Sequence, residues 1–157
     1  MSQGGDAMTS AYDRIVQGFL LIGRNFTDMT RRESRLDRSA MTLLACLDAG
    51  GPMTLAELSA VLGRDVSTLN RQTAALLRAD LAERIPDPAG GMARKFRISP
   101  EGARRLAAEQ ANNLRATKLL LDDWTDDEIE SFATALERYN AAIEERSGRH
   151  WPRGDKR

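Results

Sequence analysis

Ser67, Thr68, Asn70, Arg71 and Gln72 place five hydrogen-bonding side chains within six consecutive residues. Hydroxyls, carboxamides and a guanidinium are the groups that read base edges in the major groove or grip phosphates. Arg71 stands out among them, because a guanidinium can hold a guanine in bidentate fashion or clasp a phosphate. Leu69, Thr73, Leu76 and Leu77 recur at helical spacing through the same stretch. The polar set and this second set therefore separate onto opposite faces of one helix. The plainer alternative for the five residues is an ordinary solvated helix surface.

Several neighbouring elements would have to hold that helix in place. Asp65 can cap it, giving a helix from Val66 to about Ala79. Thr54-Leu55-Ala56-Glu57 has the form of a capping box and opens a shorter helix with Leu55, Leu58 and Leu62 on one face. Gly63 stops that helix, so the pair is a helix-turn-helix with the second helix as the reading element. Ala82–Ile85 and Lys95–Ile98 are short alternating runs joined by Pro86, Asp87, Pro88, Gly90 and Gly91, which predicts a hairpin, or wing. Arg94, Lys95 and Arg97 put positive charge there, as contact with a minor groove or with phosphates requires.

The 157 residues have a formal net charge of zero. The distribution is uneven. Between Arg64 and Arg97 seven basic residues stand against four acids, whereas between Glu101 and Arg146 eleven acids stand against six basic residues. A basic face on an acidic remainder fits a DNA-binding protein that relies little on bulk attraction. The patch Arg31, Arg32, Arg35 and Arg38, interrupted by Glu33 and Asp37, reads as a solvated connector. No apolar run is long enough for a transmembrane helix. The polar start lacks a signal core, so a cytoplasmic location is expected.

Catalysis finds no support in the residue inventory. The chain has one His, at 150, one Cys, at 46, and no Gly-rich phosphate loop. No enzyme, cofactor or metal site is expected from these residues. Cys46 lies among Leu43, Leu44 and Leu47, which predicts an inert core thiol; the alternative is a redox-responsive regulator acting through it. His150 reads as structurally silent, in a polar tail expected to be mobile from Ser147 onward.

Flanking helices complete the organisation. Ser10 to about Met29 carries Tyr12, Ile15, Val16, Phe19, Leu20, Ile22 and Phe26 at helical spacing. Asp37 can cap a helix over Arg38–Ala49 with Met41, Leu43, Leu44 and Leu47 inside, ended by Gly50-Gly51-Pro52. Ser99-Pro100-Glu101 opens a helix to about Leu121 with Leu106, Leu114, Leu120 and Leu121 apolar. Thr125-Asp126-Asp127-Glu128 opens a last one with Ile129, Phe132, Leu136, Tyr139 and Ile143 as a stripe. These apolar faces exceed what a small winged helix can cover. Pairing across a two-fold axis would bury them and set two recognition helices on one side of a dimer. The fold class expected is mainly α with a small β-wing. Residues 1–36 form a dimerisation helix and connector, 37–98 a winged helix-turn-helix, and 99–157 dimerisation helices and tail. The partners expected are double-stranded DNA with a pseudo-palindromic operator, and a second copy of the chain. Tyr12, Phe19 and Met41 could line an effector pocket, although core or dimer packing is the plainer reading. A winged-helix protein-interaction module is the remaining alternative.

The order of these elements resembles the MarR family of multiple-antibiotic-resistance regulators. The residues that carry the likeness are LDRSAMTLLACL from Leu36, MTLAELSAVLG from Met53, STLNRQTAALLRADLAER from Ser67 and ISPEG from Ile98. The resemblance implies a homodimeric repressor whose DNA affinity falls when a small, often aromatic or phenolic, effector or an oxidant acts. It places Ser67, Thr68 and Arg71 at positions that commonly touch bases or nearby phosphates, and Thr54 at the start of the supporting helix near the DNA backbone. Two departures stand out. Asp80 occupies a turn that usually holds Gly, and Asp tolerates the left-handed conformation required there. Gly90-Gly91-Met92 replaces the Asp-Arg-Arg-type signature that braces the wing, so Arg94 or Lys95 would have to substitute and the wing is expected to be more mobile.

Overall fold

A computed structural model describes residues 10–31 and 36–153, with the side chains of 10–24 and 36–153. Among these residues the chain forms α1 (Ala11–Arg31), α2 (Arg38–Gly50), α3 (Leu55–Leu62), α4 (Val66–Arg78), β1 (Ala82–Ile85), β2 (Lys95–Ile98), α5 (Pro100–Leu120) and α6 (Asp126–Ser147). The fold is mainly helical with a small antiparallel sheet, as the residue pattern predicts. The chain divides into two compact units, one holding α1 and the other running from α2 to the tail. No helix of the described residues is long and apolar enough to cross a membrane.

The helix starts follow the local chemistry of the sequence. Asp37 accepts from the Ala40 amide at 2.8 Å. Thr54 and Glu57 cap reciprocally, the Glu57 amide donating to Thr54 Oγ1 and the Thr54 amide to Glu57 Oε2. Thr125 and Glu128 repeat the pattern at α6. Each satisfies backbone donors that a helix start leaves without a partner. In the first unit, Ser10 and Asp13 exchange bonds of the same kind around the start of α1.

Below α3 and α4 lies one core, built from Leu43, Leu44, Cys46 and Leu47 of α2, Leu58 of α3, Leu69 and Leu76 of α4, Leu81, Phe96 and Leu106. Complete burial of each such leucine is worth roughly 1.5–3 kcal/mol. The hairpin pairs Glu83 with Arg97 and Arg84 with Phe96. Met53, just ahead of α3, exchanges two backbone hydrogen bonds with Phe96, of 2.9 and 2.7 Å, and ties the wing to the core. After α4 the chain turns through Asp80, at φ 56°. The Leu81 amide reaches back to the Leu76 carbonyl and closes the helix as a Schellman motif. Ser99 then pins α5 to this turn, its hydroxyl donating to the Asp80 carbonyl at 2.6 Å.

The tail and His150 need correction, the arginine patch needs placement, and the apolar stripes of α5 and α6 are left uncovered by the fold. Leu106 of α5 is buried, but Leu114 and Leu120 are exposed, and α6 has no buried residue, with Phe132, Leu136, Tyr139 and Ile143 all exposed. The tail expected to be mobile from Ser147 is instead placed as far as residue 153: Trp151 packs against the core. His150 is not silent either, its Nδ1 lying 3.6 Å from Glu144 Oε2. The side chains of Arg31, Arg32 and Arg35 lie outside the described residues; Arg38 opens α2.

Candidate nucleic-acid interface

Helix α4 presents the polar face that its sequence predicts. Leu69, Thr73 and Leu76 are buried, and the Thr73 hydroxyl donates back to the Leu69 carbonyl at 2.8 Å, so its polar atom is satisfied within the helix. Ser67, Asn70 and Arg71 are exposed on the opposite side. Their arrangement starts at the cap. Asp65 accepts the Thr68 amide at 2.7 Å, the Ser67 hydroxyl at 2.6 Å and the Thr68 hydroxyl at 2.8 Å. These bonds, from Ser67 first and then Thr68, hold the Asp65 carboxyl well below the usual carboxylate range. Arg71 continues the chain, its Nη2 donating to Thr68 Oγ1 at 3.4 Å. Asp65, Ser67, Thr68 and Arg71 thus form one linked polar array on the leading end of α4.

Gln72 behaves differently. It is half-buried on the flank of α4, where Arg64 Nη1 lies 3.5 Å from its Oε1 and 3.4 Å from the Ser39 hydroxyl. The Arg64 carbonyl also accepts the Ser59 hydroxyl at 2.7 Å. Arg64 therefore ties α2, α3 and α4 together at the turn. In the sequence Arg64 is only one charge among seven; its position beside the helix stop Gly63 is the signal that points to this role.

On the wing the three cations have three different settings. Arg94 is exposed and has no ion-pair partner among the described residues. Arg97 is paired across the strands with Glu83 at 2.6 Å. Lys95 is largely shielded, its Nζ lying 3.5 Å from Glu57 of α3 and 3.5 Å from Asp87 of the tip. Asp87 also receives the Ala89 amide at 3.0 Å and faces Gly91. The tip, Gly90-Gly91-Met92, is thus tied to β2 by the Lys95–Asp87 pair. Arg84 adds a packing contact, its guanidinium 5.9 Å from the centre of the Phe96 ring. Met92 stands fully exposed at the tip. Thr54 lies at the start of α3, and its hydroxyl is engaged by the Glu57 amide.

Tyr12 and Phe19 belong to the first compact unit, Met41 and Cys46 to the second. Tyr12 and Phe19 are exposed on α1. Met41, on α2, packs partly against the core with its sulfur 3.9 Å from the Asn113 carboxamide. Cys46 is buried, and desolvation pushes its thiol up to about 11. Among the described residues no cluster of His, Cys, Asp or Glu could hold a metal ion.

A family model described as the MarR family matches residues 36–89. An uncharacterized HTH-type transcriptional regulator of Bacillus subtilis, YxaD, is 38% identical over 113 residues, which are 72% of this chain and 79% of the relative. Among solved structures, a mutant of MarR from Escherichia coli superposes with a TM-score of 0.69 at 17% identity, over 85% of this chain and 98% of that one. The same mutant protein complexed with operator DNA gives 0.61 at 20% identity, over 83% and 98%. Protein RV1404 from Mycobacterium tuberculosis gives 0.69 at 20% identity, over 94% and 99%. The structural likeness at these identities establishes the fold, and the sequence match to a relative over most of both chains establishes kinship. The chain belongs to the MarR family of winged helix-turn-helix transcription regulators, which bind DNA and are not enzymes.

Proposed function

We propose that this protein is a homodimeric, sequence-specific repressor released from its operator by a small-molecule effector. The observation that carries the reading is the linked array of Asp65, Ser67, Thr68 and Arg71 on the exposed face of α4. Such side chains, held by a buried core on the helix's other face, can enter a major groove without repacking. Arg71 takes a guanine edge or a phosphate; Ser67, Thr68 and Asn70 supply donors and acceptors beside it. Gln72 contributes at the flank, and Thr54 lies toward the phosphates. Arg94 is the wing cation best disposed for DNA, with Lys95 and Arg97 acting through the wing's geometry and charge.

Dimerisation is the proposed role of residues 1–36 and 99–157, with 37–98 reading DNA. Its support is the apolar surface left exposed on α5 and α6 by Leu114, Leu120, Phe132, Leu136, Tyr139 and Ile143. Burying such surface against a second copy would set two α4 helices about 34–36 Å apart, one turn of B-DNA. An effector that favours a different spacing lowers affinity by shifting the population away from it. Tyr12, Phe19 and Met41 are the proposed lining of an aromatic-effector pocket.

Fluorescence anisotropy on the intergenic DNA beside its own gene tests the reading. It would be run at several salt concentrations with a scrambled duplex as control, and sedimentation would give the mass. Tight, selective binding by a dimer, steep in salt, is the expected result. Equal binding to scrambled DNA would remove the claim of sequence specificity. No binding at low salt by a folded dimer would favour a protein-interaction module instead.

A further inference from the structure

Helix α6 contributes no buried residue to the fold, yet the chain that leaves it returns to the helix-turn-helix. Gly148, at φ 64°, ends α6 in the left-handed conformation and redirects the backbone. Arg149 then lays its guanidinium on Gly63, the left-handed residue between α3 and α4: a Cβ at position 63 would stand 2.7 Å from Arg149 Cζ. Trp151 packs on the core, and Pro152 covers Gly50 at the end of α2, where an added Cβ would stand 2.8 Å from the proline Cβ. Glu144, in the last turns of α6, fixes the far end. Both its oxygens accept from Arg153 Nη2, at 3.0 and 2.9 Å, and His150 lies on the same carboxylate.

We propose that Arg149–Arg153 is a strut from the end of α6 to the turn between α3 and α4, with Arg149 as a positioning residue for the recognition helix. The inference rests on the DNA-binding reading of α4. Gly63 suits both demands of its place. It adopts φ 62° without strain, and it leaves room for a planar guanidinium directly against the backbone. The angle between α3 and α4 depends on this turn, so a group packed on it restricts how far α4 can tilt. The stripe Phe132–Ile143 ends immediately before Glu144. A shift of α6 therefore moves Arg149 through the backbone at Gly148, with the Glu144–Arg153 pair holding the other end of the segment, and does not pass through the wing.

The test compares Arg149→Ala, Arg149→Lys, Trp151→Ala and Glu144→Gln in the full chain. The probe is a duplex that the wild-type protein selects from a randomised pool. Hydrogen exchange over residues 59–68 and the thermal midpoint are measured in parallel. Arg149→Ala is expected to speed exchange at the turn and to weaken selective binding roughly three- to thirtyfold. Non-selective binding at low salt and its salt slope should stay unchanged. Arg149→Lys, which keeps the charge but not the plane, should recover only part of the loss. Trp151→Ala and Glu144→Gln should speed exchange at the same amides from the other end of the strut, and Glu144→Gln covers the case in which a substitution at Trp151 fails to fold. Unchanged exchange and affinity in Arg149→Ala and Glu144→Gln would overturn the proposal. So would full recovery by Arg149→Lys together with a salt slope reduced by about 0.9 in Arg149→Ala, which marks a direct phosphate contact. If the wild-type protein selects no duplex, the DNA reading fails, while the exchange measurements still decide whether the strut holds the turn.

Discussion

Lys95 of β2 and Glu57 of α3 form an ion pair at 3.5 Å, and the same ammonium lies 3.5 Å from Asp87 at the other side of the wing. One cation thus anchors the hairpin to the first helix of the helix-turn-helix. The pair is partly exposed on the Glu57 side, so its worth is that of a surface bridge, up to about 1 kcal/mol.

Replacing Lys95 with Met should lower stability by about 0.5–1 kcal/mol and loosen the wing tip. DNA binding should weaken with its salt slope unchanged. Thermal melts and anisotropy across salt concentrations check this; a slope lower by about 0.9 would show that Lys95 contacts a phosphate instead.

Arg71→Ala removes the guanidinium at the end of the α4 array. Affinity for a selected duplex should fall by about 1–3 kcal/mol, with discrimination relaxed at the base pair it meets. Because Arg71 is exposed, the unfolding free energy should move by no more than about 0.5 kcal/mol. Titrations on single-base-pair variants of the duplex would locate the contact.

Gly102 sits where α5 passes the backbone entering the wing. A Cβ there would collide with the Leu81 carbonyl oxygen, which already accepts the Ser99 amide, and would lie 2.9 Å from the carbonyl carbon. Backbone cannot swing aside as a side chain can. Gly102→Ala should destabilise by about 1–3 kcal/mol and lower the melting temperature by several degrees.

Acid should weaken the fold through a defined group of carboxylates. Arg104, then Arg105, hold the Glu101 carboxyl at about 2 instead of the ordinary 4.5. Hydrogen bonds from Thr54 and Thr125 hold Glu57 and Glu128 low as well. The folded form of each has the lower pKa, so the unfolded chain binds more protons in the window between. Stability from these groups is complete above the unfolded value and is lost as pH falls toward 2. Chemical denaturation at stepped pH should show that slope, and Glu101→Gln should flatten part of it.

Cys46 should be silent toward oxidants. Its thiol is fully buried, lies 3.9 Å from the Met53 sulfur and has a raised pKa of about 11. The native protein should resist alkylation until it unfolds, and peroxide should leave DNA binding unchanged. Rapid alkylation under native conditions, with loss of binding, would instead support a redox-responsive regulator.

Local chemistry made most of the fold legible in the sequence. Caps at Asp37, Thr54, Asp65, Ser99 and Thr125 act within three residues of themselves, so spacing alone reveals them. The same holds for the stop at Gly63 and for the α4 face, whose period separates Leu69 and Leu76 from Ser67 and Arg71, whereas the left-handed turn at Asp80 is implied only by the resemblance to the family. Other features join residues far apart in the chain, where no periodicity points. The sequence placed positive charge on the wing; only the fold decided that Lys95 is held by Glu57 and Asp87 while Arg94 is left exposed. A polar tail after Ser147 has no helical or strand pattern and reads as unattached. Trp151 nevertheless finds a place on the core and Arg149 a glycine with no side chain to exclude it, because packing is settled by shape and burial in three dimensions and not by neighbours in sequence.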